Sequence, residues 1–297
     1  MFRENDTICF FGDSITADGR WIAEVYQNLH SKKIKCYTCG VPGATAFDSY
    51  PRLHSHCLIH NPDYVVIMFG MNDITREMYS PDCTHPEKEK IKEGSLNKNR
   101  EYMELIVNDC IAHGATPILC SPTPCDEFNE KEAKNLYCNA GLAKCADNVE
   151  RIAEKYHCPV VDFQRELLKL IPKMDIIGPD RVHPNELGHH VLAQIFMNSL
   201  GIIDAVNFDT PFQMEEWNSK RYEIEQRLAR LNFVDYCILE KIDRERKLTL
   251  EERKNEINKK YDECEDKNSF IPQAYLNYIA NIDFKENLIS ELVKLSI

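Results

Sequence analysis

Short apolar runs alternate with helix-patterned stretches through about residue 204, which is the pattern of a parallel sheet built from βαβ units. Ile8 to Phe11, Lys35 to Cys39, Tyr64 to Phe69, Pro117 to Cys120 and Pro159 to Phe163 read as five strands. The third is apolar throughout, as expected of a strand covered on both faces. Between them, Trp21, Ile22, Val25, Tyr26 and Leu29 fall on one helical face. Further helices are expected over Tyr102 to Ala112, Lys131 to Tyr156 and Asn185 to Leu200, the last stopping near Gly201. Ile74 to Asn99 shows no clear periodicity and reads as a long connection of the kind that forms a lid or a substrate wall. Pro122 to Cys125 would stand opposite it.

The pattern changes after Asp204. Residues 205–297 hold 15 Lys/Arg and 19 Asp/Glu among 93 residues and no glycine. Apolar positions keep helical spacing at Ile224, Leu228 and Leu231, then at Tyr236 and Leu239. Thr249-Leu250-Glu251-Glu252 is a capping-box pattern that opens a helix over Arg253 to Tyr261, and two more helices are expected over Ser269 to Ile282 and Phe284 to Leu295. Trp217, Phe233, Tyr236, Phe270, Tyr275, Tyr278 and Phe284 supply core material, so this stretch is a folded helical addition. The chain therefore divides into 1–204 and 205–297. The charge run from Glu240 to Lys260 is a solvated helical face, or alternatively a coiled contact that would make a homo-oligomer.

Composition narrows the function classes. The net charge of −12 argues against nucleic acid and anionic lipid as partners. No run is long and apolar enough for a membrane span, and the start of the chain lacks the pattern of a signal peptide. Thirteen cysteines in 297 residues are too dilute for a disulfide scaffold, and their odd number fits mostly reduced thiols in the cytoplasm. Cys36-Tyr37-Thr38-Cys39 is formally a CxxC, but strand alternation turns its two thiols to opposite faces and no partner motif accompanies it. The remaining cysteines read as small core residues.

Chemistry gathers where strands end. The first strand runs into Gly12-Asp13-Ser14, and a helix follows. A serine there sits at the carboxyl edge of the sheet near helix N–H groups, a place suited to a nucleophile whose attack creates an oxyanion. Taken alone, Ser14 could equally be a helix N-cap. Gly40-Val41-Pro42-Gly43 follows the second strand, Gly70-Met71-Asn72-Asp73 the third, and Asp180-Arg181-Val182-His183 precedes the last helix. In a parallel α/β sheet these loops meet at one edge, so a serine, backbone and amide donors, and a histidine beside an aspartate converge. Asp13 and Asp73 read as helix-entry and loop-ordering residues, and His189 and His190 as packing or surface residues.

These four blocks, in this order, resemble those of the SGNH hydrolases, also called GDSL esterases/lipases, across about two thirds of the chain. The second block of that family often has an Asn two residues before its first glycine, where this chain has Thr38. The resemblance implies a flavodoxin-like three-layer αβα sandwich with a five-stranded parallel sheet in the order 2-1-3-4-5. It also implies an esterase with Ser14 as nucleophile and His183 as base, with Gly43 and Asn72 as oxyanion donors. By the logic of the chemistry, Asp180 orients His183 and the Ser14 N–H completes the oxyanion hole. Such a mechanism calls for no metal and no cofactor. The expected substrate is a small-molecule ester carrying a short acyl group, acetyl on a carbohydrate being the family-level expectation. A thioesterase or lysophospholipase for longer acyl chains, and a non-catalytic binding or scaffold module, are the alternatives.

Overall fold

The computed structural model describes residues 1–131, 133–134, 136–210, 212–244, 247–267 and 270–295. They form two compact units, Met1–Met214 and Glu215–Ile297.

In the first unit, β1 (Thr7–Gly12), β2 (Lys35–Gly40), β3 (Tyr64–Met68), β4 (Thr116–Cys120) and β5 (Val160–Val161) form one sheet in the order β2-β1-β3-β4-β5. Every pairing is parallel. The helices are α1 (Ser14–Asp18), α2 (Arg20–Leu29), α3 (Ala46–Ser49), α4 (Lys88–Ala112), α5 (Asn139–Tyr156), α6 (Phe163–Leu170) and α7 (Glu186–Ser199). They cover both faces of the sheet, which makes the flavodoxin-like αβα sandwich.

The pleat of β1 shows how the layers are built. Phe10 points to one face, where its ring meets Trp21 of α2 and Phe196 of α7, and Trp21 also packs on Phe163 of α6. Cys9 and Phe11 point to the other, into a core shared with Met103, Ile106 and Val107 of α4 and with Val149 and Ile152 of α5. Register then brings the functional loops together. Gly12 aligns with Gly40 on one side and with Met68 on the other, so β1, β2 and β3 end level with one another.

Three elements depart from the expected pattern. Half of the stretch 74–99 is not a connection, because α4 begins at Lys88 and a 3-10 turn covers Arg76–Tyr79. The charged face of α4 hides its start: only Asn99, Met103, Ile106, Val107 and Cys110 are buried, none of them in its first eleven residues. Conversely, the helix expected from Lys131 begins only at Asn139, since the described part of 121–138 is loop with irregular backbone. The fifth strand is two residues long, and Asp162 caps α6 by accepting from Arg165 N–H.

The second unit contains α8 (Glu216–Ile242), α9 (Leu250–Glu263) and α10 (Phe270–Lys294). Ile238, Ile257, Tyr275 and Tyr278 form its core, one or two residues from each helix. The Thr249–Glu252 capping box is present in both directions and opens α9 at Leu250. The two helices expected after Ser269 are one, since Asp283 and Phe284 continue the helix without a break. Ser269 and the side chains of Trp217, Phe233 and Phe270 lie outside the described residues. No helix among the described residues is long and apolar enough to cross a membrane.

Candidate active site

Asp13 caps α1, its carboxylate accepting from Ile15 N–H at 3.0 Å. The N-cap is therefore taken, and the Ser14 hydroxyl is left to point elsewhere. It lies 2.8 Å from Nε2 of His183. On the far side of that ring, Nδ1 lies 2.5 Å from Oδ2 of Asp180. A carboxylate can only accept, so Nδ1 carries the proton, Nε2 accepts, and the serine hydroxyl donates to it. Burial acts to raise the Asp180 carboxyl, but the His183 ring and the backbone N–H groups of His183 and Val182 outweigh it and hold the group below the ordinary carboxylate range. It stays an anion and fixes the tautomer. His183 and Asp180 are half exposed, with side-chain exposures of 48% and 51%, so the dyad opens to solvent.

The loop that carries the dyad is pinned from below. Asp180 Oδ1 accepts from Val182 and His183 N–H, each at 3.0 Å. Arg181 between them has a left-handed backbone, φ 68°. Its buried guanidinium donates to the carbonyls of Ala133, Asp126 and Asn129 at 2.8–2.9 Å. Arg181 thus points inward, Val182 packs into an apolar cluster with Met71 and Ile74, and Asp180 and His183 face Ser14.

The expected oxyanion donors are positioned by a second set of ties. Val41 N–H donates to Gly12 O at 3.1 Å, hanging the loop after β2 on the residue two before Ser14. Gly43 has a φ of 75°, a conformation L side chains rarely adopt. Asn72 Nδ2 donates to Ala44 O at 3.2 Å, and Ala46 N–H donates to Asp73 Oδ1 at 3.0 Å. Asp73 is thus the loop-ordering acceptor its position suggested. Gly43 and Asn72 line one cleft of about 700 Å³ together with Ile74, Arg76, Leu136 and Tyr137. Of the stretch 74–99, only its first part, from Ile74 to Ser80, lines this cleft. Neither this cleft nor a second cavity of about 610 Å³, between α2, α7 and Phe208, is lined by Ser14 or His183.

Several polar groups prove to be packing. His190 Nδ1 lies 2.9 Å from a Glu24 carboxylate oxygen and its Nε2 lies 2.7 Å from Asn207 O, all inside the first unit. His189 is buried, and Nε2 faces Asp18 at 3.3 Å. Neither is on the surface. Cys39 lies with Cys9 and Cys57, three buried thiols within 4.8 Å of one another, an association across three elements that no local spacing signals. The sulfurs of Cys125 and Cys138 are bonded, closing the loop that leads to Tyr137, while the other eleven cysteines are not in a disulfide. Arg76 and Arg181, both in contact with predicted site loops, were not singled out by the sequence because their roles depend on partners distant in the chain or outside helical geometry.

Ser14, His183 and Asp180 thus stand in one hydrogen-bonded line at the carboxyl edge of a parallel sheet in an αβα sandwich. The family model for the GDSL-like lipase/acylhydrolases matches residues 10–191, more than half of the chain. The protein belongs to that family, and with it to the carboxylic ester hydrolases. It is similar to an acetylxylan esterase of Geobacillus stearothermophilus, 25% identical over 218 residues that cover 66% of this chain and 94% of the relative. It is also similar to an uncharacterized lipoprotein of Bacillus subtilis, 24% identical over 177 residues covering 56% of this chain and 68% of that one. Among solved structures, a catalytic mutant of an acetylxylan esterase from Geobacillus stearothermophilus aligns with a TM-score of 0.57 at 22% identity, covering 69% of this chain and 99% of that one. A gut microbial diltiazem-metabolizing enzyme aligns with a TM-score of 0.60 at 21% identity, and the chain spans 48% of its length. These structural likenesses are likenesses of fold.

Proposed function

We propose that the protein is a serine esterase that removes short acyl groups, acetyl foremost, from a carbohydrate ester through an acyl-enzyme on Ser14. The observation that carries the reading is the unbroken chain from Ser14 Oγ to His183 Nε2 at 2.8 Å and from His183 Nδ1 to Asp180 at 2.5 Å. Ser14 Oγ attacks the ester carbonyl carbon while His183 Nε2 takes the hydroxyl proton, and the imidazolium is stabilised by the Asp180 carboxylate. The carbonyl oxygen becomes an oxyanion held by the N–H groups of Ser14 and Gly43 and by Asn72 Nδ2. Collapse breaks the bond to the alcohol, which leaves with the proton from His183. Water then attacks the acyl-enzyme with the same proton path run again.

The acetyl and carbohydrate parts are supported by the acetylxylan esterase relative and by the open, half-exposed dyad. A screen of 4-nitrophenyl esters from acetate to palmitate, alongside acetylated xylo-oligosaccharides, tests them. Turnover highest on acetate supports the reading, and turnover rising with chain length replaces it with a long-chain acylhydrolase. The reading includes a cytoplasmic setting, supported by eleven cysteines outside any disulfide; the Cys125–Cys138 bond and the lipoprotein relative weigh against it, and cell fractionation decides. It includes self-association through Glu215–Ile297 as well, tested by comparing the sedimentation of the full chain with that of a chain ending at Met214.

A further inference from the structure

Arg76 lies four residues after Asn72 on the 3-10 turn Arg76–Tyr79, and its Nη2 donates to Asn72 Oδ1 at 2.9 Å. We propose that Arg76 is a positioning residue for ester hydrolysis, locking the Asn72 amide so that Nδ2 faces the reacting carbonyl oxygen. This rests on the esterase reading above.

An asparagine amide can turn over, exchanging its acceptor for its donors. Here both edges are fixed by groups that tolerate only one orientation. A guanidinium has donors and no acceptor, so the edge facing Arg76 must be Oδ1. A carbonyl has only acceptors, so the edge facing Ala44 O, 3.2 Å away, must be Nδ2. A turned amide would set NH2 against guanidinium and oxygen against oxygen. With one Nδ2 hydrogen given to Ala44, the second is the donor left for an oxyanion. Ala44 follows Gly43, so the same bond couples the two expected donors.

Charge adds to orientation. Among the described residues no ion pair joins Arg76 to a carboxylate, and its charge reaches the buried Asp13 carboxyl only at longer range. A cation on Oδ1 draws electron density from the amide and makes Nδ2–H a stronger donor. Arg76 and Asn72 line the same cleft, and Arg76 is half-buried in its wall.

The test measures kcat and KM on 4-nitrophenyl acetate for the full chain and for Ser14→Ala, Asn72→Ala, Arg76→Met, Arg76→Lys and the double variant Asn72→Ala/Arg76→Met. Thermal unfolding follows each variant, and Arg76→Ala takes the place of Arg76→Met if the latter does not fold. Arg76→Met is expected to lower kcat about tenfold with KM within about twofold, since its effect is on the transition state alone. Arg76→Lys, which keeps a cationic donor, is expected to recover most of that loss. In the Asn72→Ala background Arg76→Met should cost nothing further, because the amide it orients is gone. The inference is overturned if Arg76→Met leaves kcat within about twofold of the parent, or if its loss is undiminished without Asn72. Failure of the esterase reading is seen separately: the parent would then turn over no faster than Ser14→Ala, and both proposals would fall.

Discussion

Gly40 at the end of β2 and Ala17 on α1 meet backbone to backbone: a Cβ on Gly40 would lie 2.3 Å from the Ala17 nitrogen and 2.7 Å from the Asp13 carbonyl. The helix that presents Ser14 rests on that contact. Gly40→Ala must push α1 away from the sheet edge, and it is expected to cost roughly 1–3 kcal/mol. Urea denaturation measures the cost, and ester turnover should fall with it because Ser14 moves relative to His183. A variant as stable and as active as the parent would show that α1 is not seated by this contact.

Arg181 holds the dyad loop through three carbonyls, one buried and two part-buried. Arg181→Met leaves those acceptors without donors, an expected loss of roughly 2–4 kcal/mol. The left-handed backbone at this position, φ 68°, adds a strain that the lost bonds no longer offset. Stability within 0.5 kcal/mol or so of the parent would argue that the loop is held by Asp180's own turn alone.

Asp13 makes stability depend on pH in a particular direction. Burial pushes its carboxyl up from the ordinary value of 3.8 to about 6, with Asp73 adding to the shift and the bond from Ile15 N–H opposing it. An acid whose folded pKa is raised favours the fold while protonated, and that contribution is lost as pH rises from about 4 through about 6. Asp13→Asn keeps a capping oxygen and carries no charge. It should therefore stabilise the protein above about pH 6, by up to about 3 kcal/mol from a shift of about two pKa units, and do little near pH 4. Thermal melts of both proteins across that range check the sign. A difference that does not change with pH would contradict the assignment.

Asn72→Ala removes the side-chain donor of the proposed oxyanion hole. The expected result is a fall in kcat of about a hundredfold, with KM nearly unchanged. A rise in KM at constant kcat would place Asn72 in ground-state binding instead.

The strands were legible because positions in a doubly covered sheet are apolar on both faces, while their order came only with the family resemblance; Ser14, Gly43, Asn72 and His183 were legible because each follows or precedes an element with a clear boundary. The approach of Ser14 to His183 across 169 residues follows from the loops sharing one sheet edge. What was not legible depends on partners far apart in the chain. α4 starts at Lys88 with a charged, exposed turn, and hydrophobic periodicity has nothing to report there. The Cys125–Cys138 bond pairs residues 13 apart on an irregular loop, and a dilute set of cysteines gives no spacing rule for it. Arg76 reaches Asn72 at a helical interval outside a helix, with only a 3-10 turn to carry it. Phe284 reads as a helix start but continues α10, because an aromatic residue after Asp283 fits a helix interior as well as a beginning.

The central claim is that Ser14 forms the acyl-enzyme. Its most direct measurement is 4-nitrophenyl acetate turnover by the full chain and by Ser14→Ala, with fluorophosphonate labelling located by mass spectrometry. Turnover in the parent and labelling at Ser14 are expected, and neither in a Ser14→Ala variant that melts like the parent. Hydrolysis at the parent's rate in folded Ser14→Ala, or a label on another residue, would contradict it.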